Sequence, residues 1–182
     1  CDAQVPVTLE PPTPVSFTTV AQDVSCFGAS DDFISVSLDP GMDNPPYTYI
    51  LYQGGVPIAG PQSSPLFDGL PAGNNYMVEA LSALSCSATE NVTIGEPSPL
   101  TLTATATAFA CAPDNSVSTS LVTASVGVGA GTAPYLYSLD GTNYQTANTF
   151  NVADTGMTQP LTVYVRDANG CVATAPVTLE PI

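Results

Sequence analysis

Apolar and polar residues alternate with a period of two along most of the chain. Leu100, Leu102, Ala104 and Ala106 are interleaved with Thr101, Thr103, Thr105 and Thr107, the pattern of a half-buried β-strand. Ile34, Val36 and Leu38 alternate with Ser35 and Ser37, and Val163 and Val165 alternate with Thr162 and Tyr164. Tyr47 and Tyr49 fall on one face of a strand, as do Tyr135 and Tyr137, because side chains two residues apart point the same way. Turn signals separate these runs: Asp39-Pro40-Gly41, Gly54-Gly55, Asp68-Gly69, Ala72-Gly73, Asp140-Gly141 and Asn169-Gly170. No window holds a convincing helical period. The pattern predicts an all-β chain.

The strands recur. Cys1, Cys86 and Cys171 are spaced by 85 residues, and so are Cys26 and Cys111. Cys1 opens CDAQVPVTLEP, Cys86 opens CSATENVTIGEP and Cys171 opens CVATAPVTLEP, with the Val-Thr-aliphatic step at Val7, Val92 and Val177. Pro46-Tyr47-Thr48-Tyr49 matches Pro134-Tyr135-Leu136-Tyr137, Tyr76-Met77-Val78 matches Leu161-Thr162-Val163, and Phe67 matches Phe150. The chain therefore reads as the C-terminal strand of a preceding repeat (1–11), a whole repeat (12–97) and a second whole repeat (98–182). Proline-rich junctions at 10–12 and 96–99 fit short, semi-rigid connections. Six or seven short strands per copy with this turn spacing predict tandem Ig-like β-sandwich repeats of about 85 residues.

Register makes sense of an odd cysteine count. Each whole repeat owns two cysteines, Cys26 with Cys86 and Cys111 with Cys171, while Cys1 is left without a partner from its own repeat. Pairing within repeats would stabilise each small domain by about 4 kcal/mol on the chain-entropy relation. The competing pairing, Cys1 with Cys26 and Cys86 with Cys111, must span two strands and a junction. Laid head to tail those cover roughly 50–80 Å, against the about 5.5 Å between Cα atoms that a disulfide needs. Pairing within repeats is therefore expected, although simple up-and-down strands would put the two cysteines at opposite poles. Reduced, buried thiols are the plain alternative. Regular pairing in a small domain favours an oxidising, extracellular setting, and zinc is disfavoured because no two cysteines are close and no His is present.

Charge narrows the functional classes. The 182 residues hold 16 Asp or Glu and one basic residue, Arg166, for a formal net charge of -15. Without cations to neutralise phosphates, nucleic acids and anionic membrane surfaces are excluded as partners. Without His or Lys, a Ser-His-Asp triad, a His general base, a Schiff base, a P-loop and a Lys–Asn isopeptide crosslink are all excluded. No apolar run is long enough to span a membrane, and no signal peptide is read in this stretch. Arg166 offers the one tryptic site.

Several motifs carry a family resemblance. Cys26-Phe27-Gly28-Ala29-Ser30-Asp31, the P-Y-x-Y step, Gly69-Leu70-Pro71-Ala72-Gly73, Asp167-Ala168-Asn169-Gly170-Cys171 and V-T-L-E-P together resemble the SprB-type repeat. That family implies Ig-like repeats of giant surface adhesins and gliding-motility filaments of Bacteroidota, exported by type IX secretion, with no catalytic residues. The copies depart from each other. The second has Cys111-Ala112-Pro113-Asp114-Asn115 and Val152-Ala153-Asp154-Thr155-Gly156, and the first has Ser82-Ala83-Leu84-Ser85 in place of D-A-N-G.

Candidate sites are few. Asp31, Asp32, Asp39 and Asp43, with Asn44, crowd one stretch and offer hard oxygen ligands for calcium. Asp167-Ala168-Asn169-Gly170 resembles the start of a calcium loop but lacks the following Glu, and Asn-Gly is a good hairpin turn. Glu96 and Glu180 hold equivalent junction positions. Tyr47, Tyr49, Tyr52, Tyr135, Tyr137, Tyr144 and Tyr164 are candidates for an aromatic platform that binds surface glycans, against the plainer reading of strand packing. A glycosidase pair of carboxylates is disfavoured, because no pair occupies equivalent positions in both copies and a two-layer sandwich offers no obvious cleft. Cys1-Asp2 suits a lipidated N-terminus, but the repeat already accounts for it, and Asn91-Val92-Thr93 is a glycosylation sequon. The 1–11 segment is not expected to be a donor strand, since each whole repeat has its own copy.

The reading is a non-enzymatic spacer segment of a cell-surface filament or adhesin, with neighbouring repeats as partners and no cofactor. The alternatives are a calcium- or carbohydrate-dependent binding module and an accessory domain of a secreted enzyme.

Overall fold

The computed structural model describes residues 13–110 and 118–182. They are all-β: thirteen strands and no helix among the described residues. None of them therefore forms a helix long and apolar enough to cross a membrane. The chain forms two units. One takes in the described residues of Cys1–Asp23 and Ser30–Gly95, and the other those of Val24–Ala29 and Glu96–Ile182. The second division falls close to the sequence boundary at 97/98. Residues 24–29, however, belong to the second unit although the repeat assigns them to the first.

Unit 1 has seven strands: β1 Phe17–Ala21, β2 Asp32–Leu38, β3 Thr48–Gln53, β4 Val56–Gln62, β5 Leu66–Leu70, β6 Gly73–Leu81 and β7 Ser87–Ile94. They form two antiparallel sheets, ordered β1-β2-β5 and β4-β3-β6-β7. The alternation read from the sequence decides the faces. On β2, Ile34 and Val36 are buried while Ser37 is exposed, and on β6 Tyr76, Val78 and Ala80 are buried. Leu51 of β3 and Ile94 of β7 complete the fully enclosed side chains. Edge strand β4 bulges against β3 at Gly60, whose φ is +89° and where any Cβ would run into the Tyr49 carbonyl oxygen. Only glycine fits there. Pro57 and Pro61 lie in β4, where prolines suit an edge.

Unit 2 repeats the plan with six strands among the described residues: β8 Leu102–Ala106, β9 Thr119–Val126, β10 Leu136–Ser138, β11 Thr149–Ala153, β12 Gln159–Arg166 and β13 Val172–Leu179. The sheets are β11-β9-β8 and β10-β12-β13. Val122 and Ala124 from one sheet pack with Tyr137, Val163, Val165 and Leu179 from the other. This is a two-layer sandwich core. The counterpart of β4 shrinks to one bridge, in which Tyr137 and Gln145 exchange backbone hydrogen bonds of 2.8 and 2.9 Å. The Pro-Tyr step is preceded by a cis peptide bond in both units, at Pro45-Pro46 and Ala133-Pro134; Gly60-Pro61 is also cis.

Arg166 stacks its guanidinium 4.3 Å from the ring centroid of Tyr144. The Asp140 carboxylate organises the loop that carries Tyr144. It accepts hydrogen bonds from Ser138 Oγ, from the backbone N–H groups of Thr142 and Asn143, and from Asn143 Nδ2. The Asn143 bonds above all hold its pKa far below the usual carboxylate range.

Candidate functional site

Chemistry concentrates where β12 turns into β13. Asp167 opens the turn and is buried. Its Oδ1 accepts from the backbone N–H of Asn169 at 3.0 Å and of Cys171 at 2.9 Å, and its Oδ2 accepts from Thr132 N–H at 3.0 Å. Gly170 N–H donates to Asp167 C=O at 3.1 Å, and Gly170 takes φ +88°. This left-handed residue closes the hairpin as the Asn-Gly pair predicts. Ala168 N–H donates to Thr132 C=O at 2.8 Å, tying the turn to a neighbouring loop.

The segment Val24–Ala29 lies on this turn as a strap. Val24 is buried, and Ala29 N–H donates to Cys26 C=O at 3.0 Å across Gly28, whose φ is +74°. Ser25 C=O accepts from Asn169 Nδ2 at 3.2 Å, and Gly28 N–H donates to Glu96 Oε2 at 3.1 Å. Cys26 and Cys171 form a disulfide, with Cα atoms 5.7 Å apart and a sequence separation of 145. Cys26, Phe27, Pro99, Leu100, Cys171 and Val172 line a shallow depression beside the bond. The C-x-G motif is thus a strap, and D-A-N-G-C is the turn that receives it.

This corrects the expected pairing of Cys26 with Cys86 and of Cys111 with Cys171. After β1 the chain leaves unit 1 and contributes residues 24–29 to unit 2 before β2 begins, so Cys26 meets Cys171, and Cys86 is a free thiol. Cys1 and Cys111 lie outside the described residues.

The aspartates proposed for calcium are not brought together. Among the described residues no group of three or more Cys, Asp or Glu side chains could hold a metal ion. Asp32 is buried at the start of β2, where its Oδ1 accepts from Phe33 N–H at 2.5 Å. Asp39 follows the far end of that strand and accepts from Ser16 Oγ. Asp43 accepts from Asn44 Nδ2 at 2.9 Å, and Asp31 is exposed. Glu96 and Glu180 have different roles: Glu96 holds the strap, and Glu180 accepts from Thr158 Oγ1 at 2.7 Å.

The tyrosines pack rather than form a platform. Tyr47, Tyr49 and Tyr137 are buried, and burial raises the phenol pKa of Tyr49 and Tyr137 above the usual value. Tyr135 donates to Ala130 C=O at 2.7 Å, and Tyr52 donates to Glu79 Oε2 at 2.8 Å. Tyr144 lies under Arg166, and Tyr164 is half-buried on β12. Tyr76 has a role that the sequence did not disclose. It enters the core at the start of β6, and its hydroxyl donates to Pro71 C=O at 2.9 Å. This is the tyrosine corner of Ig-like sandwiches, and Gly69-Leu70-Pro71-Ala72-Gly73 is the bend that supplies its acceptor. Asn91 of the sequon is exposed on β7.

Three solved structures align with this chain. The three N-terminal domains of the highly immunogenic outer capsid protein of bacteriophage RB49 align at 18% identity over 92% of this chain and 59% of theirs, with a TM-score of 0.49. A structure titled for host cell surface retention of a 1.5-MDa bacterial ice-binding adhesin aligns at 11% identity over 94% of this chain and 67% of that one, with a TM-score of 0.50. The N-terminal four Ig domains of Dscam1 align at 11% identity over 98% of this chain and 46% of theirs, with a TM-score of 0.31. At these identities the likeness concerns the fold alone. The chain spans about three fifths of the length of the phage protein structure. No curated protein sequence matches it. Residues 18–56, covering β1 to the start of β4, match the family described as SprB repeat. The match covers the C-x-G motif at Cys26–Gly28 and the Pro46-Tyr47-Thr48-Tyr49 step, two of the motifs on which the resemblance was read.

Proposed function

We propose that the chain is a spacer segment of an extracellular surface filament or adhesin, in which Ig-like units act in series as structural parts rather than as enzymes. The observation that carries this reading is the repetition of one sandwich plan in consecutive units, the first of which matches the SprB repeat. The polar residues organise the fold: Asp167 and Asp140 cap turns, Tyr76 forms a corner and Glu96 holds a strap. A chain with -15 net charge repels its own kind, which opposes bundling of neighbouring filaments. Within this reading the partners are further repeats of the same polypeptide, and a role in adhesion or gliding belongs to the whole filament.

The test is the mass of the native polypeptide on a denaturing gel with reductant. A covalent array gives hundreds of kDa. A band near 18.6 kDa overturns the spacer reading and leaves a free-standing module.

A further inference from the structure

Three observations converge on Cys86. The first is local geometry. The turn Ser82–Cys86 of unit 1 reproduces four hydrogen bonds of the turn Asp167–Cys171 of unit 2. Ser82 N–H donates to Cys86 C=O at 2.9 Å, as Asp167 N–H does to Cys171 C=O at 3.0 Å. Cys86 N–H donates to Ser82 Oγ at 3.2 Å, as Cys171 N–H does to Asp167 Oδ1 at 2.9 Å. Ser85 N–H closes on Ser82 C=O, as Gly170 N–H does on Asp167 C=O, and Ala83 N–H reaches Asn44 C=O as Ala168 N–H reaches Thr132 C=O. Cys86 is thus held as Cys171 is held, and it is partly exposed.

The second observation is what Cys171 does with that geometry. It binds a cysteine that the sequence repeat assigns to the preceding copy. The third is arithmetic. The bonded pair is 145 residues apart, and both of its cysteines recur with a period of 85. Moving the bond back one period, from Cys171 to Cys86 (171 − 85 = 86), puts the partner at 26 − 85, which lies 60 residues before Cys1.

We infer that Cys86 is the receiving half of a further disulfide, whose other half is a cysteine in a C-x-G strap supplied by the repeat preceding unit 1. Leu84, 63% exposed where unit 2 has Asn169, is the apolar surface that this strap covers. The same shift forward makes Cys111 a donor to the repeat that follows. The bond forms by thiol–disulfide exchange. The Cys86 thiolate attacks a mixed disulfide on the strap cysteine. That disulfide was made with an oxidised disulfide-exchange protein, which accepts the two electrons and leaves as a dithiol.

This inference rests on the tandem-array reading, so the native polypeptide is first sized under reductant. It is then alkylated without reduction, digested with a glutamyl endoprotease and mapped by mass spectrometry. The expected result is Cys86 joined to an upstream C-x-G cysteine. An alkyl label on Cys86 in a chain that does carry upstream repeats overturns the inference while sparing the array. A short polypeptide with no upstream repeat overturns both. Thiol titration of the 182-residue chain gives a second test. Three thiols, Cys1, Cys86 and Cys111, are expected, and a count of one from a Cys86–Cys111 bond overturns the inference.

Discussion

The turns at Ser82–Cys86 and Asp167–Cys171 reach one geometry from different residues. In unit 2 a carboxylate caps the turn and Gly170 supplies the left-handed backbone, whereas in unit 1 a serine hydroxyl caps it and Ser85 takes φ +63° without being glycine. The bends before β6 and β12 differ in the opposite sense. Unit 1 fixes its bend with the Tyr76 corner, while unit 2 has Leu161 at that position and caps the bend with Asp154, which accepts from Gly156 N–H at 2.8 Å. The plan is therefore specified by where backbone groups find partners, and either copy can change the partner's chemistry. Of the five turn residues, only the alanine (Ala83, Ala168) and the closing cysteine (Cys86, Cys171) are kept in both.

The comparison can be broken most strongly at the clasp. Reducing Cys26–Cys171, or substituting Cys26→Ser, removes a 145-residue closure. The chain-entropy relation assigns such a closure up to about 5 kcal/mol. In calorimetry unit 2 should melt well below its oxidised value while unit 1 holds, since the strap belongs to unit 2. Equal losses in both units would show that the strap supports both. Next in size is Tyr76→Phe, which leaves Pro71 C=O without its donor. It should cost unit 1 about 1–3 kcal/mol in urea titrations and leave unit 2 unaffected.

Exchanging the turn residues sharpens the comparison. A left-handed non-glycine residue costs roughly 1 kcal/mol, so Ser85→Gly should stabilise unit 1 by about that much. Gly170→Ser should weaken unit 2 similarly, because no atom lies within 4 Å of a Cβ built there and only the backbone is strained. A larger loss at Gly170 would mean that the strap needs the bare glycine. The smallest effect is acidic. The Asp140 pKa is depressed in the folded state. Its contribution is therefore complete above the unfolded Asp value near about 3.9 and is lost as pH falls toward the folded value. Asp140→Asn should flatten unit 2's acid-side stability profile, measured as midpoint against pH.

Strands and faces were legible because a period of two is a local property: Ile34, Val36, Val163 and Val165 are buried as their alternation requires. The tyrosine corner was only half legible, since Gly69–Gly73 reads as a turn but its hydroxyl donor lies on the next strand. Calcium was suggested by nearness in sequence, which a strand defeats. Asp32 and Asp39 sit at opposite ends of β2, about 23 Å apart along an extended chain. The disulfide partner was misread because a repeat period fixes spacing and says nothing about which copy a segment folds into. One signal was available. β1 and β2 pair antiparallel, yet ten residues separate Ala21 from Asp32, where hairpins usually need 2–5. An overlong connection with a cysteine and a glycine at its centre is a segment with work elsewhere.

The clasp also redirects load. Tension entering at one end of this chain and leaving at the other reaches Cys26, crosses the sulfur bridge and continues from Cys171. Their sequence separation of 145 corresponds to about 490 Å of contour at ~3.4 Å per residue, and none of it can be drawn out while the bond is intact. The covalent bond, rather than hydrogen bonds, sets how far the chain inside the loop stretches, and only β1 and β13, which lie outside it, are left for hydrogen bonds to hold. A change in redox conditions would turn an inextensible link into a long tether.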